Sequence, residues 1–195
     1  MRCLVVYAHP VAQSYCAALR DRAASALTGS GHEVRVVDLY GEGFDAALSR
    51  QERLDYHTSG ANERNVARHV ESLRWAQAIV FVYPTWWYGL PAILKGWLDR
   101  VWVPGVAFTL PTRDAPIRGL LDNIVCIAGV TTSGSPWWWL AMIGNPGRRT
   151  IVRGIRAICH RRCRTLWLQH YNIDRSTPQT RARFLERVGH ALARL

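Results

Sequence analysis

Lysine is nearly missing from this 195-residue chain: Lys95 is the only one, so a net charge of +11 rests on arginine against just 14 acidic side chains. Much of that arginine falls after Gly147, which raises the question of nucleic acid. No aromatic residues are interleaved with the basic ones in a recognisable recognition module, so we read a solvated basic surface and no nucleic-acid partner. Such a field also attracts anionic cofactors. The five cysteines (Cys3, Cys16, Cys126, Cys159, Cys163) are odd in number, and three sit in or beside apolar runs. That argues against a disulfide framework and for a reducing compartment. Cys159-His160-Arg161-Arg162-Cys163 matches no zinc spacing, and no metal site is expected. The apolar start turns polar at His9, too soon for a signal peptide, so the expected location is the cytoplasm. Ala78 to Leu94 and Asn123 to Gly147 lack charge, but proline, glycine and hydroxyl residues break both, so no integral membrane segment is expected. Glycine is absent from Tyr7-Ala8-His9-Pro10-Val11-Ala12-Gln13-Ser14, which removes the G-x-G-x-x-G fingerprint of a dinucleotide fold. Asp38, at the end of the second apolar run, is then read as a strand-end cap.

What is present is alternation. Apolar runs at Cys3–Tyr7, Val34–Leu39, Ala78–Tyr83, Asn123–Val130 and Arg164–Leu168 predict five strands. Between and after them, helices are predicted over 14–27, 63–75, 90–101 and 149–160. A last helix opens at Thr177-Pro178, a cap followed by proline at the first helical position. The polar excursion from Tyr40 to Asn62 holds a shorter helix over 49–57. The strands read as continuously apolar, as parallel strands covered on both faces do. With no repeat or linker, residues 1–195 are expected to form a single α/β domain around a doubly wound sheet.

Ligands of such sheets bind beyond the carboxyl ends of the strands. The first loop offers Gln13 and Ser14 at the mouth of a helix, an anion site by virtue of exposed amides and a hydroxyl; Ser14 as a plain cap is the alternative. His9, before a proline, is ambiguous. Pro84-Thr85-Trp86-Trp87-Tyr88-Gly89 puts three aromatic rings in the next loop. Thr131-Thr132-Ser133-Gly134-Ser135 supplies hydroxyls and amides, and Trp137-Trp138-Trp139 follows. An uncharged, aromatic-walled pocket with an anion site at one end suits a flavin.

The segments YAHP…SYCAAL, YPTWWYGLPAILKGWLDRV and TTSGS, in that order, resemble the NAD(P)H:quinone oxidoreductases, whose relatives include azoreductases and potassium-efflux ancillary reductases. The resemblance implies a flavodoxin-like fold with strand order 2-1-3-4-5 and helices on both faces. It also implies a homodimer with sites at the interface, and ping-pong hydride transfer from NAD(P)H through FAD (FMN being the alternative) to a quinone or other flat acceptor. It places His9, Ser14, Tyr15 and Cys16 at the flavin phosphates and Pro84, Thr85, Trp86, Trp87 and Tyr88 along the ring edge. Thr131, Thr132 and Gly134 become donors at the pyrimidine end, with Ser133 replacing a frequent glycine. Trp87 walls the acceptor slot beside Tyr88. Cys16 stands where relatives often have asparagine. Trp139 and Asn145 occupy the places of a tyrosine and a histidine assigned to charge relay, and neither can shuttle a proton. Two rivals belong to other classes: an electron carrier of flavodoxin type, disfavoured by the basic charge, and a regulatory flavoprotein subunit without turnover of its own.

Overall fold

Strands β1 (Arg2–Tyr7), β3 (Ala78–Pro84) and β4 (Cys126–Thr132) form the middle of a parallel sheet in a computed structural model that describes residues 1–195. Apart from Arg2 their residues are buried, because helices cover both faces; hence the unbroken apolar reading. β2 (Glu33–Asp38) and β5 (Arg164–His170) close the edges in the order β2-β1-β3-β4-β5. These two depart from the expectation of continuous burial. Glu33, Arg164 and Thr165 face solvent, because an edge has a strand neighbour on one side only, and charge there blocks pairing with another chain.

On one face, α1 (Tyr15–Gly29) and α7 (Pro178–Leu192) pack over Val5, Val80 and Ala128. The Ser14 hydroxyl starts α1 by accepting from the Ala17 amide at 3.1 Å, and Leu19, Ala23, Ala26 and Leu27 form its buried stripe. Thr177 and Thr180 cap α7 reciprocally, with Pro178 at the first position. On the other face, α3 (Ala67–Trp75) and α4 (Ala92–Val101) cover Leu4, Ile79 and Ile127. Gly96 lets α4 lie directly against the 40–49 segment, since any Cβ there would collide with the Ala46 backbone.

The excursion contains the expected short helix as α2 (Arg50–Asp55). Its cap residue Ser49 exchanges hydrogen bonds with Glu52, whose other oxygen accepts from the Arg100 guanidinium of α4 at 2.9 Å. Arg100 also donates to the Asp45 carbonyl. One buried ion pair thus ties the whole excursion to the helix layer.

Several boundaries moved, and three departures are the largest. β4 begins at Cys126 rather than Asn123, because the Asn123 amide nitrogen donates to the carbonyls of Leu73, Arg74 and Ala76 at the end of α3. The helix expected over 149–160 is composite: α6 (Pro146–Arg149), a π-helical turn (Thr150–Ile155) and a 3-10 turn (Arg156–Ile158). The three tryptophans expected in a loop instead open a helix, α5 (Trp137–Met142), after Pro136. Asp38 caps as expected, its Oδ1 accepting from the Gly41 amide at 3.0 Å. All five cysteines are buried and unpaired, and no helix is long and apolar enough to cross a membrane.

Candidate functional site

The parallel ladder brings the ends of β1, β3, β4 and β5 to one rim, and the sites expected from sequence, Asn145 excepted, lie on or near it. A cleft of about 350 Å³ opens between the loop after β3 (Thr85, Trp87, Tyr88) and the loop after β4 (Ser133, Gly134, Ser135). Asp174, from the loop after β5, completes it. A Cβ on Gly134 would stand 2.5 Å from Asp174 Oδ2, so the glycine keeps the carboxylate in reach of the cleft. This corrects the expectation of an uncharged pocket: one acid lines it, and most of its lining is polar.

Trp86-Trp87-Tyr88-Gly89 is a tight turn closed by the Gly89 amide donating to the Trp86 carbonyl at 3.0 Å. Its central residues, Trp87 and Tyr88, have φ of 47° and 62°. Two consecutive positive values follow the type I′ pattern, which asparagine and glycine adopt readily and large aromatics do not. Strain of about 1–3 kcal/mol per such residue is the sort that gathers at ligand clamps. The turn holds the Trp87 ring 95% exposed at the cleft edge. Tyr88 is fixed from behind, its hydroxyl accepting from Trp139 Nε1 at 3.2 Å and its carbonyl from the Gly147 amide.

Donors are left over around the cleft. The backbone amides of Trp87, Tyr88, Gly134 and Ser135 have no partner within the protein, whereas that of Ser133 is spent on the His170 carbonyl. Thr131 and Thr132 are ladder residues with buried side chains. The Thr131 hydroxyl meets that of Thr85 at 3.0 Å, and the Thr132 hydroxyl lies 3.9 Å from Cys16 Sγ. Of the segment expected to supply amides, Thr131 to Ser135, Gly134 and Ser135 present free ones.

At the neighbouring mouth of α1, Ser14 serves as cap and also meets the Tyr7 hydroxyl at 3.3 Å. The amides of Tyr15 and Cys16 are free there. Gln13 is exposed, and His9 Nδ1 accepts from the Val11 amide with its ring 6.2 Å from that of Trp86. Burial pushes the Cys16 thiol up to about 11 despite its contact with Thr132, so it remains a neutral thiol. Tyr15 donates to the Arg181 carbonyl at 3.0 Å, and the Arg181 guanidinium sits 5.8 Å from the Tyr15 ring, bringing positive charge to this mouth. Pro84 ends β3 as a buried residue. Asn145 lies elsewhere: at φ 45° it caps α6 by accepting from the Arg148 amide, and it lines a separate cleft.

The sequence profile of the flavodoxin-like fold matches residues 1–187. The chain belongs to this flavodoxin-like family. Among curated relatives it is 29% identical to the rat protein NAD(P)H dehydrogenase [quinone] 1, over 95% of this chain and 74% of that one. It is 38% identical to a ribosyldihydronicotinamide dehydrogenase-like protein of Penicillium crustosum, over 54% of this chain and 45% of that one. The match thus spans less than half of the fungal relative's length. The solved structure of Smu.1420 from Streptococcus mutans superposes with a TM-score of 0.85 at 26% identity, covering 100% of both chains. In flavodoxin-like terms, the loops after β1, β3 and β4 are those inspected in the sequence. Asp174 and Arg181 lie beyond those three loops, in the loop after β5 and at the start of α7. Treating every strand-to-helix loop at this rim as a candidate would have found both.

Proposed function

We propose that this chain is a flavin-dependent NAD(P)H oxidoreductase acting on a quinone-like or other flat aromatic acceptor. One observation carries the reading: a cleft rimmed by free amides and a strained aromatic turn adjoins a helix mouth with two free amides of its own. A ring with hydrogen-bonding edges and a phosphate tail needs those two environments side by side. When bound, a flavin supplies a two-electron carrier between a reduced nicotinamide and the acceptor. FAD is favoured on the resemblance to quinone reductases, with FMN the alternative.

The chain's own groups then have distinct tasks. Ser14, Tyr15 and Cys16 give the phosphates a hydroxyl and two amides, with Arg181 adding charge. The amides of Gly134 and Ser135 donate where negative charge collects, a preorganised stabilisation. Asp174 would be placed to accept a hydrogen bond from a ring N–H of the bound group. Trp87 covers the acceptor side, and Trp139 orients Tyr88 rather than relaying a proton. Asn145, which caps α6 and faces the second cleft, is given no catalytic task in this reading. Exposure of Trp86, Trp87, Trp137 and Trp138 supports a homodimer that covers this rim, since aromatic patches of that kind mark contact surfaces.

Trp87→Gly tests the slot. Removing an almost fully exposed ring while relieving a positive φ is expected to leave unfolding free energy within about 1 kcal/mol of the parent. Quinone kcat/KM is expected to fall roughly tenfold, the size of effect assigned to one lost wall contact. Anaerobic mixing with NADPH tests the reading as a whole. Rapid bleaching of a flavin band, reversed by a quinone over many turnovers, is the expected result. A protein that exchanges single electrons but never turns over would replace the enzyme with a carrier.

A further inference from the structure

Arg148 and Arg149 of α6 and Arg153 of the π turn line a second cleft of about 300 Å³, whose other walls include Trp137 and Tyr171. None of these guanidinium groups takes part in an ion pair. Unpaired arginine is common in this basic chain, so what marks the place is convergence of three on one cleft between two aromatic side chains. The π turn contributes to it. Arg149 and Arg153, four residues apart on this helical stretch, fall on the same side, and π turns recur at functional sites. Like charges so placed repel one another until an anion arrives. Arg148 and Arg187 also lie close enough to Tyr171 to lower its phenol pKa against the burial that raises it.

Three guanidinium groups beside flat rings match a phosphate attached to an aromatic nucleoside: forked donors for the oxygens, ring faces for the base. The cleft adjoins the cofactor slot across Tyr88. Trp137, in the wall of this second cleft, stands two residues before Trp139, whose Nε1 donates to the Tyr88 hydroxyl, and the Gly147 amide donates to the Tyr88 carbonyl at 3.2 Å. We propose that this cleft receives the 2′-phosphoadenosine end of NADPH, so that the protein prefers NADPH to NADH. This rests on the reductase reading above and adds its donor.

The test uses adenosine 2′,5′-bisphosphate and 5′-AMP as probes on the purified protein, followed by calorimetry or tryptophan quenching. All three arginines are exposed, so Arg149→Ala, Arg153→Ala and their combination keep the fold. The bisphosphate is expected to bind at least tenfold tighter than 5′-AMP, and the difference is expected to vanish in the double variant. In turnover, the NADPH-to-NADH ratio of kcat/KM should fall at least tenfold in the double variant. Equal affinity for the two probes in the parent, or an unchanged ratio in the double variant, overturns the proposal. If the protein shows no turnover at all, the reductase reading fails while the probe titration still decides the cleft.

Discussion

Gly134→Val is expected to weaken flavin binding by about 100-fold, or ~2.7 kcal/mol, while the fold survives. The glycine sits on an exposed loop outside the sheet, so its replacement disturbs no packed layer. Its hydrogen is nevertheless what allows Asp174 to approach: even a single added carbon would stand 2.5 Å from the carboxylate oxygen. A branched side chain displaces Asp174, narrows the cleft and shields the free amides of Gly134 and Ser135 together. Fluorescence titration of the apoprotein with FAD and with FMN measures the loss, and thermal unfolding without flavin checks that the scaffold is intact. Unchanged affinity would place the ring somewhere other than this cleft.

The second large effect is on stability. Glu52→Gln is expected to cost about 3 kcal/mol, because it strands the charge of Arg100 in a site where the two side chains are only 12% and 8% exposed. Burial alone would raise the Glu52 carboxyl. Hydrogen bonds from Ser49 and Arg100, with the arginine's charge, outweigh burial and hold it below the ordinary range. A depressed carboxylate contributes stability that is complete above its unfolded value of about 4.3 and is lost as pH falls through the lower folded value. The parent should therefore lose stability on acidification below that point, and the variant should show a shallower acid limb. Urea unfolding at neutral and at acid pH measures both. Equal acid limbs in the two proteins would show that the pair carries no pH-linked stability.

The legible part of this molecule was the part governed by periodicity. Leu19, Ala23, Ala26 and Leu27 declared one face of α1, and the runs at Val80 and Ala128 declared strands covered on both sides. The caps at Ser14 and Thr177 stood where hydroxyl residues precede apolar stripes. Less legible were places decided by single tertiary contacts. Asn123 reads as strand until its amide is seen closing α3. The tryptophans from Trp137 to Trp139 read as loop although Ser135-Pro136 carries a hydroxyl-proline signal like that of Thr177-Pro178; in α5 Pro136 itself holds the cap position and no side chain caps the helix. The π turn has no sequence signature at all, whereas the spacing of Arg149 and Arg153 was readable as one helix face. For the candidate site, the loop after β3 and Gly134 were readable from glycine and aromatic content. Asp174 and Arg181 were not, since only the return of β5 to the same rim brings them near residues more than 30 positions away. Thr131 shows another tertiary detail that the sequence does not display: its hydroxyl is buried and meets that of Thr85.

The central claim stands on whether this cleft holds a flavin, and the visible spectrum of the purified protein measures that directly, with the released chromophore identified by chromatography against FAD and FMN. One flavin per chain, bleached by NADPH and restored by a quinone, is the predicted result. A colourless protein that takes up neither FAD nor FMN when they are added would contradict it.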